Sequence, residues 1–130
     1  MVNLALCRRE VRKFLEKHLL DDVTSLILKG SPFEAITAQE LAQQLVGLQK
    51  SKSKLSSWFE ADGILFPPKV NMEQTSSQET ANYKAQLIQG KHIIDITGGF
   101  GIDCAAFSKK FETVTHCELN TELSKLVKHN

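Results

Sequence analysis

The sequence predicts an α/β chain in two parts: a small all-α domain over residues 1–66, then, over residues 67–130, the truncated start of a Rossmann-like sheet with two parallel strands. Three observations predict this. Residues 92–118 read in order as strand, glycine-rich turn, helix, strand and acid, the opening of a nucleotide-binding βαβ unit. The earlier half carries apolar side chains at three- and four-residue steps with helix caps between them. Pro67-Pro68 blocks regular structure and marks the boundary between the halves.

The first helical candidate covers residues 3–20, where Leu4, Cys7, Val11, Phe14, Leu15 and Leu19 form one apolar stripe. Arg8, Arg9, Arg12 and Lys13 occupy much of the other face, either as a solvated surface or as a phosphate-contacting one. Asp21 or Asp22 can cap a second helix, Val23–Lys29, which Gly30 and Ser31-Pro32 terminate. Thr37 caps a third, and Glu40 three residues on completes a capping-box pattern. Leu41, Leu45 and Leu48 supply its buried stripe. Lys50, Lys52 and Lys54 then make the only dense basic run, read as a solvated connector ahead of a short helical turn over residues 55–59, with contact to an RNA backbone as the alternative. Trp58 and Phe59 are expected to pack the helical part onto the second half of the chain.

A second set of polar residues precedes the first strand. Gln74, Thr75, Ser76 and Ser77 stand in a row, and Ser76 or Ser77 can cap a helix over residues 78–89 with Tyr83, Leu87 and Ile88 facing inward. Gly90 closes it. Ile93 and Ile94 then lead an apolar run through Asp95, Ile96 and Thr97 into Gly98-Gly99-Phe100-Gly101. Glycines there let the chain turn sharply and let a ligand lie against main-chain N–H groups. Ile102, Ala105 and Ala106 mark the next helix, residues 114–117 the second strand, and Glu118 the acid at its end. Glu118 lies 20 residues after Gly98, close to the ~20-residue spacing at which an acid accepts hydrogen bonds from ribose hydroxyls.

The turn lacks the third glycine of a dinucleotide-binding G-x-G-x-x-G, and no Gly-Lys-Ser/Thr comes after it, which excludes a Walker loop. Asp95 and Asp103 flank it. Two carboxylates there would repel a pyrophosphate and suit a cation carrying an ammonium and a sulfonium, which favours S-adenosylmethionine over NAD.

The run DITGGFGID over residues 95–103 resembles the first motif of class I S-adenosylmethionine-dependent methyltransferases, and Glu118 matches their acid at the end of strand two. The run MEQTSSQETANYKA over residues 72–85 adds a narrower resemblance, to bacterial RNA methyltransferases whose longer members end in a THUMP-like domain. The resemblance implies that Asp95, Thr97, Gly98, Gly99, Phe100 and Gly101 face the methionine and ribose parts of S-adenosylmethionine. Asp103 binds nearby water or the amino group, and Glu118 holds the ribose hydroxyls. It also implies that Gln74, Thr75, Ser76 and Ser77 close over the methionine end, and that RNA is the methyl acceptor.

At 130 residues the chain is shorter than the roughly 200 residues of a class I sheet. It therefore reads as an N-terminal fragment, with the catalytic residues expected beyond Asn130. Bare strand edges of such a sheet, at residues 93–97 or 114–118, are expected to promote self-association. Hydrophobic residues at 42%, charged residues at 24% and a net charge of +1 suit a globular chain and leave nucleic-acid binding to a local patch. Cys7, Cys104 and Cys117 form no C-x-x-C, so no metal is expected and a reduced, cytoplasmic setting is. Cys104 and Cys117 read as small core residues. His18, His92, His116 and His129 show no metal spacing. No apolar run approaches the ~20 residues of a membrane span, so no membrane partner is expected. The alternative reading is a non-catalytic module that binds RNA or protein and carries a remnant nucleotide-binding unit.

Overall fold

In the computed structural model, which describes residues 2–130, the first helical stripe is interrupted. The Asn3 side chain accepts from the Ala5 N–H at 3.1 Å and starts a 3-10 turn, Leu4–Cys7; Arg8 is extended, and α1 (Arg9–Lys17) begins after it. The break turns Leu4 out to solvent, while Val11 and Leu15 keep their expected burial. Arg12 is drawn off the basic face: it pairs with Glu16 at 2.7 Å, donates to the Phe59 carbonyl and lies over the Phe59 ring.

The caps read from the sequence then hold in order. Asp22 accepts from the Ser25 N–H at the start of α2 (Val23–Lys29), which ends at Gly30 with φ +80°. Thr37 and Glu40 form a reciprocal capping box on α3 (Ala38–Lys54). Glu40 is held below its usual carboxylate range, first by the Thr37 backbone N–H and then by the Asn3 amide. The basic run is no connector. Helical hydrogen bonding continues through it because Ser51 is fully buried and because Lys54 donates to the Met72 and Glu73 carbonyls at 3.0 and 3.2 Å. Lys50 pairs with Glu73 at 3.2 Å. Leu55 then opens α4 (Ser56–Glu60), where Trp58 and Phe59 pack against the core as expected.

The extended run over residues 64–66 has no strand partner, and side-chain amides take that role. Gln44, buried on α3, accepts from the Phe66 N–H at 2.8 Å and donates to its carbonyl at 2.9 Å. Asn130 makes the same two bonds to Leu65, both at 2.9 Å. Gly47 lets α3 approach closely: a Cβ there would sit 2.1 Å from the Phe66 Cβ.

Pro68 starts a helix where the sequence suggested a break. It caps α5 (Lys69–Gln74), a position at which a missing N–H costs nothing because no intrahelical acceptor awaits it. Gln74, the first of the polar row, therefore ends a helix. Ser77 caps α6 (Gln78–Leu87), accepting from the Thr80 N–H at 3.1 Å. The inward face of α6 differs from expectation. Ala81 and Ala85 are buried against α7 (Ile102–Phe107), while Tyr83, Leu87 and Ile88 are exposed. Small residues let the two helices approach closely, and that contact sets the rotation of α6 in preference to its larger side chains.

β1 (His92–Asp95) and β2 (Thr113–His116) pair in parallel, as expected, with His92 opposite Thr113 and Asp95 opposite His116. Both are shorter at their C-terminal ends than the apolar runs suggested, because the chain turns into loops there. α8 (Thr121–His129) comes next, capped by Asn120. Buried side chains from both halves, from Val11 through Leu45, Phe66, Met72 and Ala85 to Phe107 and Leu126, form one cluster. Ile93 and Val114 pack toward it, while His92, Ile94, Thr113 and Thr115 lie on a bare face of the sheet. Among the described residues no helix is long and apolar enough to cross a membrane.

Candidate functional site

The parallel ladder continues past the strand ends and places the glycine turn. The Cys117 N–H donates to the Asp95 carbonyl and the Gly98 N–H to the Cys117 carbonyl, each at 2.9 Å. The Gly101 N–H closes back on the Gly98 carbonyl at 2.8 Å. Two of the glycines are required by what lies against them. A Cβ on Gly98 would fall 2.3 Å from the His116 ring, whose Nε2 donates to the Gly99 carbonyl at 3.1 Å. Gly101 has φ +79°, and a Cβ there would fall 2.7 Å from Val127 of α8. Phe100 between them is buried, 6.4 Å from the Phe66 ring by centroids, and so anchors the turn to the helical half.

Glu118 is held by the turn itself. One carboxylate oxygen accepts from the Gly99 N–H at 2.9 Å, the other from the Asn120 N–H at 2.8 Å. Each oxygen retains a lone pair, so the acid stays able to accept from a ligand. Asn120 in turn accepts from the Glu122 and Leu123 N–H groups and fixes the start of α8.

The second anchor comes from α6 and α7. Asp103 Oδ2 accepts from Lys84 Nζ at 2.8 Å and from Ser76 Oγ at 3.2 Å, and Lys84 also donates to Ser76 Oγ at 2.8 Å. Asp103 Oδ1 is buried and has no hydrogen-bond partner among the described residues.

These groups surround a cleft of about 660 Å³ at the C-terminal ends of the strands. Of the residues singled out from the sequence, Gln74, Thr75, Ser76, Thr97, Gly98, Gly99, Phe100, Asp103 and Glu118 line it. Asp95, Ser77 and Gly101 do not line it. The Asp95 carboxylate turns back on its own loop, accepting from the Thr97 N–H at 3.0 Å and from Cys104 Sγ at 3.6 Å. Ser77 is spent on the α6 cap, and Gly101 packs on α8. The expectation of two bare carboxylates flanking the turn is thus corrected: Asp95 faces away and Asp103 is paired with Lys84. The charge contrast with a pyrophosphate ligand is correspondingly smaller.

Lys84, Asn71 and Asn120 also line the cleft and were not singled out from the sequence. Lys84 carried no signal of its own, because the sequence pattern put Tyr83, Leu87 and Ile88 on the inner face of the helix, where Ala81 and Ala85 lie instead. The two cysteines separate. Cys104 is buried, and desolvation, followed by the Asp95 carboxylate, pushes its thiol up to about 12. Cys117 is exposed, against expectation, because β2 has ended and the chain is turning into the cleft. Among the described residues no group of three or more His, Cys, Asp or Glu is placed to hold a metal ion.

No protein-family model matches the chain, and no curated protein does. A solved structure, that of a "putative methyltransferase from Porphyromonas gingivalis W83", superposes with a TM-score of 0.77 at 24% identity over 98% of this chain. The chain spans 31% of that protein's length. At this identity the likeness establishes a shared fold.

Proposed function

We propose that the cleft binds S-adenosylmethionine and that the chain belongs to a methyltransferase acting on RNA. The observation that carries this reading is the joining of the glycine turn to Glu118 through the Gly99 N–H. It puts a fixed carboxylate at the end of β2 beside a floor of backbone, the arrangement that receives a ribose. The cleft's size lies within the roughly 300–1,000 Å³ of small-molecule sites. The fit is supported further by the unpartnered Asp103 Oδ1, a buried acceptor on a residue that lines the same cleft.

In this reading Glu118 accepts from the ribose hydroxyls, with Gly99 and Asn120 preventing its carboxylate from rotating. Gly98, Gly99 and Phe100 present backbone to the middle of the ligand, and Gln74, Thr75 and Ser76 close its far end. When bound, S-adenosylmethionine supplies a methyl group activated by its sulfonium. The protein's contribution is to hold both reactants in line rather than to provide a nucleophile. RNA as acceptor rests on the resemblance of residues 72–85, and the groups that would contact a base are proposed to lie on the further length that the matched fold carries.

Calorimetric titration of the chain with S-adenosylhomocysteine, with NAD as counter-ligand, tests the reading. Saturable binding of the homocysteine compound is expected, weakened about 10-fold or more by Glu118→Ala, as for loss of an ionised hydrogen-bond acceptor. Tighter binding of NAD, or an unaltered affinity in Glu118→Ala, would contradict it.

A further inference from the structure

We propose that His116 is a positioning residue for the acid at the end of β2: it fixes the glycine turn on which Glu118 rests, and so sets a preference for ligands with a ribose over those with a deoxyribose. The inference rests on the reading of Glu118 as the ribose acceptor and adds the residue that keeps it in place.

The end of β2 holds the glycine turn at three successive residues. The Cys117 carbonyl accepts from the Gly98 N–H at 2.9 Å. Glu118 accepts from the Gly99 N–H at 2.9 Å. His116 takes the group left on Gly99, its carbonyl, 3.1 Å from Nε2. A carbonyl only accepts, so Nε2 carries the proton. Gly99 thus has its N–H on the acid and its carbonyl on the imidazole. At φ +50° and without a side chain, Gly99 has little else to hold its two peptides.

Packing alone does not account for an imidazole here. His116 stands opposite Asp95 on the last rung of the ladder, half-buried on the same face of the sheet as Val114. Its ring fills the space that Gly98 leaves open, where a Cβ would fall 2.3 Å away. Another flat ring would fill that space as well. The donor at Nε2 is what singles out histidine, and it is aimed at a residue whose N–H holds the acid. The ring lines a cavity behind the turn, with Trp58 and Val127, and is not among the residues around the cleft. The Gly99 carbonyl is therefore drawn away from the ligand's side. In a trans peptide the N–H points opposite to the carbonyl. The Phe100 N–H is thus turned from His116, and it has no hydrogen-bond partner among the described residues. The turn then meets the ligand with a backbone donor and a fixed carboxylate. That pairing suits a hydroxyl, which both accepts and donates.

Two measurements on the full chain test this. The first is amide hydrogen exchange without ligand. The Gly99 N–H is expected to exchange at least about 10-fold faster in His116→Asn, whose amide stops short of Gly99, and in His116→Phe, which keeps a ring and loses the donor, with the amides of α3 unchanged. The second is calorimetry. The wild-type chain is expected to bind S-adenosylhomocysteine at least about 10-fold more tightly than its 2′-deoxy analogue, as for a hydrogen bond to a charged group. Both variants are expected to bring that ratio within about 3-fold. His116→Gln, whose amide reaches the place of Nε2, is expected to keep most of it. His116→Asn decides the matter if His116→Phe does not fold. Gly99 exchange or a ratio unchanged in His116→Asn overturns the positioning role and leaves the cofactor reading standing. Loss of the ratio in His116→Gln as well would assign His116 to packing alone and overturns it too. Equal binding of the two nucleosides by the wild-type chain overturns the ribose role of Glu118, and that of His116 with it. Failure of S-adenosylhomocysteine to bind overturns the cofactor reading itself.

Discussion

Asp103 and Lys84 show how much one residue's meaning depends on where a helix turns. Asp103 is visible in the sequence as an acid just after the glycine turn. Lys84 is not, because a lysine eight residues past a serine-rich cap is ordinary surface composition. Only the burial of Ala81 and Ala85 puts Lys84 on the inner face, within 2.8 Å of Asp103. Cys104 and Cys117 diverge for a similar reason. Both read as small core residues, yet one lies on α7 with its thiol toward the Asp95 carboxylate and the other on a loop. The Cys104 thiol, pushed up to about 12, stays protonated through the range in which ordinary thiols ionise. Its folded pKa is raised, so the stability it contributes is complete below the ordinary thiol pKa and fades as pH climbs toward the folded value. Alkylation of the native chain with iodoacetamide near pH 8, followed by peptide mass mapping, is expected to label Cys117 and spare Cys104. Equal labelling of the two would contradict the burial and pairing described.

At the scale of elements, the caps were legible and the helix faces were not. Asp22, Thr37 with Glu40, and Ser77 each start the helix expected of them, because a cap needs only a local donor and acceptor. The face of α6 depends on α7, which comes later in the chain, and local pattern favoured its larger side chains. The continuation of α3 through the basic run depends likewise on α5, whose terminal carbonyls take Lys54. The short extended run at Leu65 and Phe66 had no visible partner because its partners are side chains. Gln44 satisfies both backbone groups of Phe66 from inside the core. Gln44→Leu is expected to lower unfolding stability by about 2 kcal/mol, since it leaves the buried Phe66 N–H unpaired, while the Phe66 carbonyl keeps the Gln43 amide at 2.9 Å. Urea denaturation measures this, and a loss under about 0.5 kcal/mol, the usual range of surface changes, would show that the clamp is dispensable.

Across the whole molecule, the unit that carries the glycine turn and the helices before it share one core. Phe66 from the helical half meets Phe100 of the glycine turn, and α5 and α6 bring Gln74 to Ser76 to the cleft edge. The sequence made the turn, the strand order and Glu118 readable because each rests on short-range spacing. It left the joining of the halves unread, because that is carried by residues far apart in the chain. The sheet keeps one face bare and the outer edge of β1 unpaired among the described residues, and self-association is proposed on that surface. The central claim is that the glycine turn, Glu118 and the Asp103 corner act as one site for one small molecule. Amide chemical-shift mapping of the labelled chain during titration with S-adenosylhomocysteine tests this most directly. The account predicts saturating shifts together at Gly98, Gly99, Asp103, Glu118 and Ser76, with α1 and α2 unmoved. Shifts confined to the helices of the first half, or none at saturating ligand, would contradict it.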